Sequence, residues 1–116
     1  MTRLYLDDLR TPTTDYRWHV VRSYDEAVAW VEKNGMPDYV SFDHDLGEDS
    51  KTGYDFAKWL IDQDEQGRHR FRYGFHYNVH SANPVGVKNI TELFAGYQSY
   101  RDRQGSTIEE MKWTDS

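Results

Sequence analysis

Side chains able to do chemistry gather at three places in the chain: Asp7-Asp8, Asp43-His44-Asp45, and His80-Ser81 with Asn83 just beyond. The middle group lies in the stretch "SFDHDLG", Ser41 to Gly47, directly after the apolar-leaning run Tyr39-Val40-Ser41-Phe42. Carboxylates flanking an imidazole suit a metal site, a phosphoryl acceptor, an acid-base cluster or a solvated turn. If the three groups converge, their carboxylates repel one another, and the site must either protonate them or bind a cation. Oxygen ligation by carboxylates, carbonyls and water suits Mg2+ or Mn2+, and Mg2+ commonly meets phosphate oxygens.

Convergence depends on the elements that carry these groups. Arg3-Leu4-Tyr5-Leu6 reads as a buried strand ending at Asp7-Asp8, and Trp18 to Arg22 as a second strand after a loop containing Thr11-Pro12-Thr13-Thr14. Ser23 with Glu26 has capping-box spacing and opens a helix carrying Ala27, Val28, Trp30 and Val31, which Asn34-Gly35 stops. Tyr39 to Phe42 is the third strand. A helical pattern over Tyr54, Phe56, Ala57, Trp59, Leu60 and Ile61 fades into Asp62 to Gly67. Tyr73 to Ser81 reads as a fourth strand with Gly74 as a weak point, and a last helix begins near Pro84 with Val87, Ile90, Leu93, Phe94 and Tyr97 at helical spacing. Beyond Gln104, Ile108, Met111 and Trp113 suit a short helix or strand that packs back.

Strands alternating with helices predict an α/β sandwich around a mostly parallel sheet. In such sheets ligands bind beyond the carboxyl ends of the strands, where all three reactive groups fall. The gap from Asp8 to Trp18 is short for a parallel crossover. It implies that the first crossover helix is shortened or absent, or that the first two strands pair unusually.

The bulk properties set limits. A chain of 116 residues suits one domain, 1–116, with one core. Mean hydropathy is low at -0.95, but four Trp, nine Tyr and five Phe supply large buried areas from few positions. A net charge of -6 argues against duplex DNA and anionic membranes as partners. The absence of cysteine excludes disulfides, thiolate nucleophiles and Cys-based zinc sites. No apolar run reaches signal-peptide or transmembrane length, so the cytoplasm is the expected compartment.

Each feature also has a plainer reading. Asp7-Asp8 alone suits turn and capping chemistry. Asn83 before Pro84 suits an N-cap with proline at the first helical position, which is compatible with backbone N-H groups facing a phosphate. His76 and His80 share a strand face but lie about 13 Å apart, too far for two ligands of one metal. The basic cluster Arg68-His69-Arg70 with Arg72 fits a solvated loop.

"LYLDDLRTP", "SFDHDLG", "TGYDFAKWL" and "VHSANPVG", in this order, resemble the family of cyclic-phosphate-processing receiver domains, over roughly Leu4 to Ile90. The resemblance implies a receiver or flavodoxin-like three-layer sandwich. In response-regulator receivers an acidic pair after the first strand holds Mg2+, an aspartate after the third accepts a phosphoryl group, and a Ser or Thr follows the fourth. Asp7, Asp8 and Ser81 match by position. Asp43 directly follows its strand, while Asp45 has the better spacing to Gly53. Departures from ordinary receivers argue against phosphorelay signalling: no lysine precedes a proline, Asp-His-Asp replaces a single acceptor, and His80 adjoins Ser81.

The resemblance implies instead the metal-dependent hydrolysis of a cyclic phosphate on a nucleotide or RNA end. Asp7, Asp8, Asp43 and Asp45 are the expected holders of Mg2+ or Mn2+, and Asp43, His44, His80 and Arg10 the expected catalytic groups. Ser81, Asn83 and Arg10 would bind substrate. The histidines would move protons, and the Arg10 fork would meet developing negative charge. The alternative is a non-enzymatic receiver-like module for binding or regulation.

Overall fold

The two-residue period of a strand sets Leu4 and Leu6, Val40 and Phe42, and Tyr77 and Val79 on one face of a sheet. In the computed structural model, which describes residues 2–12, 17–47, 51–72, 74–103 and the backbone of 112–113, five strands form that sheet: β1 (Arg3–Leu6), β2 (His19–Val21), β3 (Tyr39–Phe42), β4 (His76–Val79) and β5 (Lys112–Trp113). All pairings are parallel and the order is β2-β1-β3-β4-β5. Helices α1 (Tyr24–Asn34), α2 (Gly53–Gln66) and α3 (Pro84–Arg103) alternate with the strands. This is the expected receiver-like α/β fold. Its strand order reverses between β1 and β3, the kind of switch point where such sheets bind ligands.

The short first link is resolved. β1 and β2 pair directly, from Leu4 with His19 to Leu6 with Val21, and the described residues of their connection, 7–12 and 17–18, contain no helix. The three helices pack on the Leu4–Phe42 face through Ala27 and Val31, Phe56 and Leu60, and Ile90 and Phe94, all fully or almost fully buried. Phe94 closes this core against Phe42 and Tyr77, at ring separations of 5.7 and 4.4 Å. β3 is buried at every position, as a central parallel strand should be. The opposite face presents Tyr5, Tyr39, Ser41 and Asn78, which are also buried. A second helical layer, which the three-layer expectation requires, is not among the described residues.

Local signals account for the helix limits. The Ser23 side chain accepts the Glu26 N-H, and Gly35 ends α1 at φ +89°, a conformation that favours glycine. Thr52 and Asp55 form a full capping box at the start of α2.

Three boundaries differ from expectation. α2 does not fade after Ile61 but runs to Gln66, because Gln63 and Asp64 turn inward and are buried. Asp64 accepts bonds from the Phe71 N-H at 2.9 Å and the Tyr97 hydroxyl at 2.5 Å, with Arg101 3.8 Å away, so its burial is compensated. β2 is one residue shorter at each end than expected. β4 begins at His76, with Gly74 in a positive-φ turn before it rather than inside it. Expectations for Tyr73, residues 13–16, Ile108 and Met111 fall outside the described residues, while Trp113 lies in β5.

Candidate active site at the carboxyl edge of the sheet

Leu6, Phe42 and Val79 stand side by side across β1, β3 and β4. The next residue of each strand therefore forms one row: Asp7, Asp43 and His80. Backbone bonds extend the ladder to this row, from Asp7 N to Val21 O at 3.1 Å, Asp43 N to Leu6 O at 2.9 Å and His80 N to Phe42 O at 2.9 Å. Three residues distant in sequence are thus held as rigidly as the sheet itself. Among the described residues, these three form the group whose ligand atoms all lie within 4.8 Å of one another.

Asp7 is fully buried and organises the row. Its Oδ1 accepts the backbone N-H groups of Leu9 at 2.8 Å and Arg10 at 2.7 Å, which folds the chain after β1 around the carboxylate. Its Oδ2 accepts Arg10 Nε at 3.0 Å and His80 Nε2 at 2.9 Å. Burial alone would raise the pKa of Asp7, but the Arg10 and Leu9 N-H groups and His80 outweigh it and hold the carboxyl below its ordinary value. Asp43 goes the other way. Burial, reinforced by repulsion from Asp7, pushes its carboxyl up, and Arg10 only partly offsets this.

The His80 ring is fixed on three sides. Nε2 faces Asp7, Nδ1 lies 2.7 Å from the Ser41 hydroxyl, and the Tyr5 ring stacks on it at 4.4 Å and 8°. Burial pushes the His80 pKa below its ordinary value despite the Asp7 carboxylate. An ionised Asp7 only accepts, so we assign the proton to His80 Nε2; the neutral ring then accepts the Ser41 hydroxyl proton at Nδ1.

In front of the row lies a cleft of about 390 Å³, lined by Asp7, Asp8, Leu9, Arg10, Asp43, Asp45, Gly47, Ser81 and Ala82. The Arg10 side chain is half-exposed and spans both carboxylates, with its terminal nitrogen 3.7 Å from Asp43 Oδ1. Asp45 is largely exposed and lies 2.9 Å from His44 Nδ1. His44 does not join the row. Its ring lies under the first turn of α3, where a Cβ on Gly86 would come within 2.5 Å of it. The Asn83 side-chain carbonyl caps α3 by accepting from Val85 N and Gly86 N at 3.0 and 3.3 Å, and the Ser81 hydroxyl accepts the Asn83 N-H at 3.1 Å.

Sequence reading missed three contributors. Arg22 donates to the backbone oxygens of Asp7 at 3.1 Å and Arg10 at 2.6 Å, pinning the turn. Its place at the end of β2, beside β1, was the available signal. Ser41 and Tyr5 lie two residues before Asp43 and Asp7, on the same strand faces, and hold His80 from below.

Residues 2–96 match the family model of the cyclic-phosphate processing receiver domain. The chain belongs to this family. No curated protein and no solved structure matches it. Membership ties this receiver domain to cyclic-phosphate processing. The acidic residues after β1 and β3, and Ser81 after β4, fall at the carboxyl edge of the sheet, where open parallel sheets bind ligands. The donor set also fits a hard divalent cation. Asp7 and Asp43 are buried carboxylates already bridged by a cationic group, Arg10, and the cleft adds oxygen donors from Asp8, Asp45 and Ser81.

Proposed function

We propose that the domain hydrolyses a cyclic phosphate on a nucleotide or RNA end, with Mg2+ or Mn2+ as cofactor. The observation that carries this reading is the in-register row of Asp7, Asp43 and His80 beneath an open cleft. Hydrolysis adds water across one phosphorus–oxygen bond of the ring, leaving a phosphomonoester and a free hydroxyl. Asp7 and Asp43 would hold the metal, with Asp8 and Asp45 contributing from the cleft wall. When bound, the ion would polarise the phosphodiester and lower the pKa of a coordinated water.

The chain's own groups divide the remaining work. Arg10 has a planar fork suited to phosphoryl oxygens and is exposed enough to reach them. The Ser81 hydroxyl lines the cleft and helps to orient the phosphate. His80 donates from Nε2 to Asp7 and so holds that carboxylate in place, while Nδ1, on the Ser41 hydroxyl, is the nitrogen at which the ring would take up a proton. Asn83 sets the start of α3 beside the cleft, and His44 supports Asp45 from beneath.

The test is incubation with 2′,3′- and 3′,5′-cyclic nucleotides and with RNA ending in a cyclic phosphate, in Mg2+ or Mn2+, wild type beside Asp43→Asn. Phosphomonoester would be followed by phosphorus NMR. Turnover by wild type and its loss in the variant are expected; no turnover in any pairing would refute hydrolysis.

One observation favours a second reading, a non-enzymatic module. Both nitrogens of His80 have internal partners and Arg10 already bridges the carboxylates, so the row is satisfied without substrate. Nucleotide-induced amide shifts at Asp8, Asp43 and Ser81 without turnover would support it.

A further inference from the structure

We infer that the Arg10 guanidinium and a divalent cation are alternative occupants of the space between Asp7 and Asp43, so that metal loading releases Arg10 toward the phosphate. The inference rests on the metal reading of the proposed function and adds an order to it: Arg10 must leave the carboxylates before it can serve a substrate.

Three features support it. First, the Arg10 backbone cannot follow its side chain. Its N-H bonds to Asp7 Oδ1 at 2.7 Å and its carbonyl accepts from Arg22 at 2.6 Å, so the side chain alone is free to pivot. Second, the grip of the guanidinium is uneven. Nε makes a hydrogen bond to Asp7 at 3.0 Å, whereas the 3.7 Å approach to Asp43 is an ion pair without one. Third, the Arg10 side chain is 51% exposed while those of Asp7 and Asp43 are 1% and 7% exposed. The carboxylates are fixed in the protein and the cation stands at the boundary.

Charge decides between the occupants. One guanidinium neutralises one of two crowded carboxylates, while a divalent cation neutralises both. Both cations in one place would repel each other, so binding of the ion expels the side chain. Arg10 also lines the cleft with Asp8 and Ser81, so a pivot leaves its fork within the space a phosphate would fill.

The test observes Arg10 directly. In 15N-labelled protein, the Arg10 Nε-Hε signal, assigned by its absence from Arg10→Gln, is followed during Mg2+ titration with no phosphate present. Mn2+ affinity is measured calorimetrically for wild type, Arg10→Gln and Arg10→Lys. The expected result is a shift of the Nε-Hε signal in step with the Asp43 amide, and roughly 2-fold to 5-fold tighter Mn2+ binding by Arg10→Gln, the scale of removing one half-exposed ion pair as competitor. Arg10→Lys, which keeps the charge, should stay near wild type. A still Nε-Hε signal while the Asp43 amide moves, or unchanged or weaker binding by Arg10→Gln, would overturn the inference and leave the metal reading standing. No metal binding by wild type or Arg10→Gln would overturn both. If Arg10→Gln does not fold, Arg10→Lys provides the assignment and the wild-type titration decides alone.

Discussion

Gly53 is where packing of the fold and geometry of the site meet, and adding one methyl group there tests the connection. It is the first residue of α2, and its N-H bonds to the His44 carbonyl at 2.9 Å. A Cβ built on Gly53 would stand 1.9 Å from the Asp43 carbonyl oxygen, 2.9 Å from its carbon and 3.3 Å from His44 Cα. Ordinary contacts lie near 3.5 Å, so backbone must move by roughly 1.5 Å. That backbone carries Asp43 and is tied to β1 through the Asp43 N to Leu6 O bond. Overpacking of this kind costs about 1–3 kcal/mol and a lost hydrogen bond about 1 kcal/mol. Helix propensity returns about 1 kcal/mol at most. Gly53→Ala should therefore be less stable by about 2 kcal/mol, a fall in melting temperature of about 8 °C for a domain of this size. Gly96 is the internal control: it lies exposed within α3, and a Cβ added to it would meet nothing within 4 Å. Gly96→Ala should gain about 0.5–1 kcal/mol. Thermal and urea unfolding followed by circular dichroism would measure both. Equal or greater stability of Gly53→Ala, or shifts of the same sign in both variants, would refute the close-approach account.

The row should respond asymmetrically to loss of charge. Asp43→Asn removes a buried carboxylate repelled by Asp7, so urea unfolding should show unchanged or increased stability, whereas Asp7→Asn breaks its pairs with Arg10 and His80 and should cost about 3 kcal/mol. Because the folded-state pKa of His80 lies below its ordinary value, the unfolded chain takes up that proton first, and stability falls as pH drops below about 6.5. Urea midpoints between pH 7 and 5 should consequently decline less in His80→Gln than in wild type. Away from the site, Tyr97→Phe withdraws a donor from fully buried Asp64 and should cost about 2 kcal/mol by the same assay, while metal binding at the sheet edge stays unchanged.

What could be read from the sequence follows the range of the interactions. Strand ends were legible because apolar runs stop at Asp7, Asp43 and His80, and a parallel sheet brings such ends to one edge. The caps at Ser23 and Thr52 involve residues three apart and were equally local. The inward turn of Asp64 was not legible, because its hydroxyl partner Tyr97 lies 33 residues away. Polar residues at the end of α2 look like a solvated taper until that partner is known. The same limit hid Arg22, which acts on a backbone 15 residues before it. Between Asp43 and Asp45, strand register separates what composition could not: Asp43 continues the ladder and is buried, while Asp45 has left it and faces water.

The distribution of charge bears on why an acidic domain should need a cation for an anionic substrate. The chain carries a net charge of -6, and the row sets two carboxylates against one guanidinium, with His80 neutral near pH 7. Asp8 and Asp45 on the cleft wall add to the excess. A phosphodiester entering this cleft meets repulsion at short range, where the buried members of the row are poorly screened by salt. Arg10 cannot reverse it while bound to Asp7, because its charge is already engaged. On the proposed reading, a divalent cation changes both terms together by neutralising the row and freeing the guanidinium. Metal and phosphate should then bind with positive coupling, each tightening the other by the same factor.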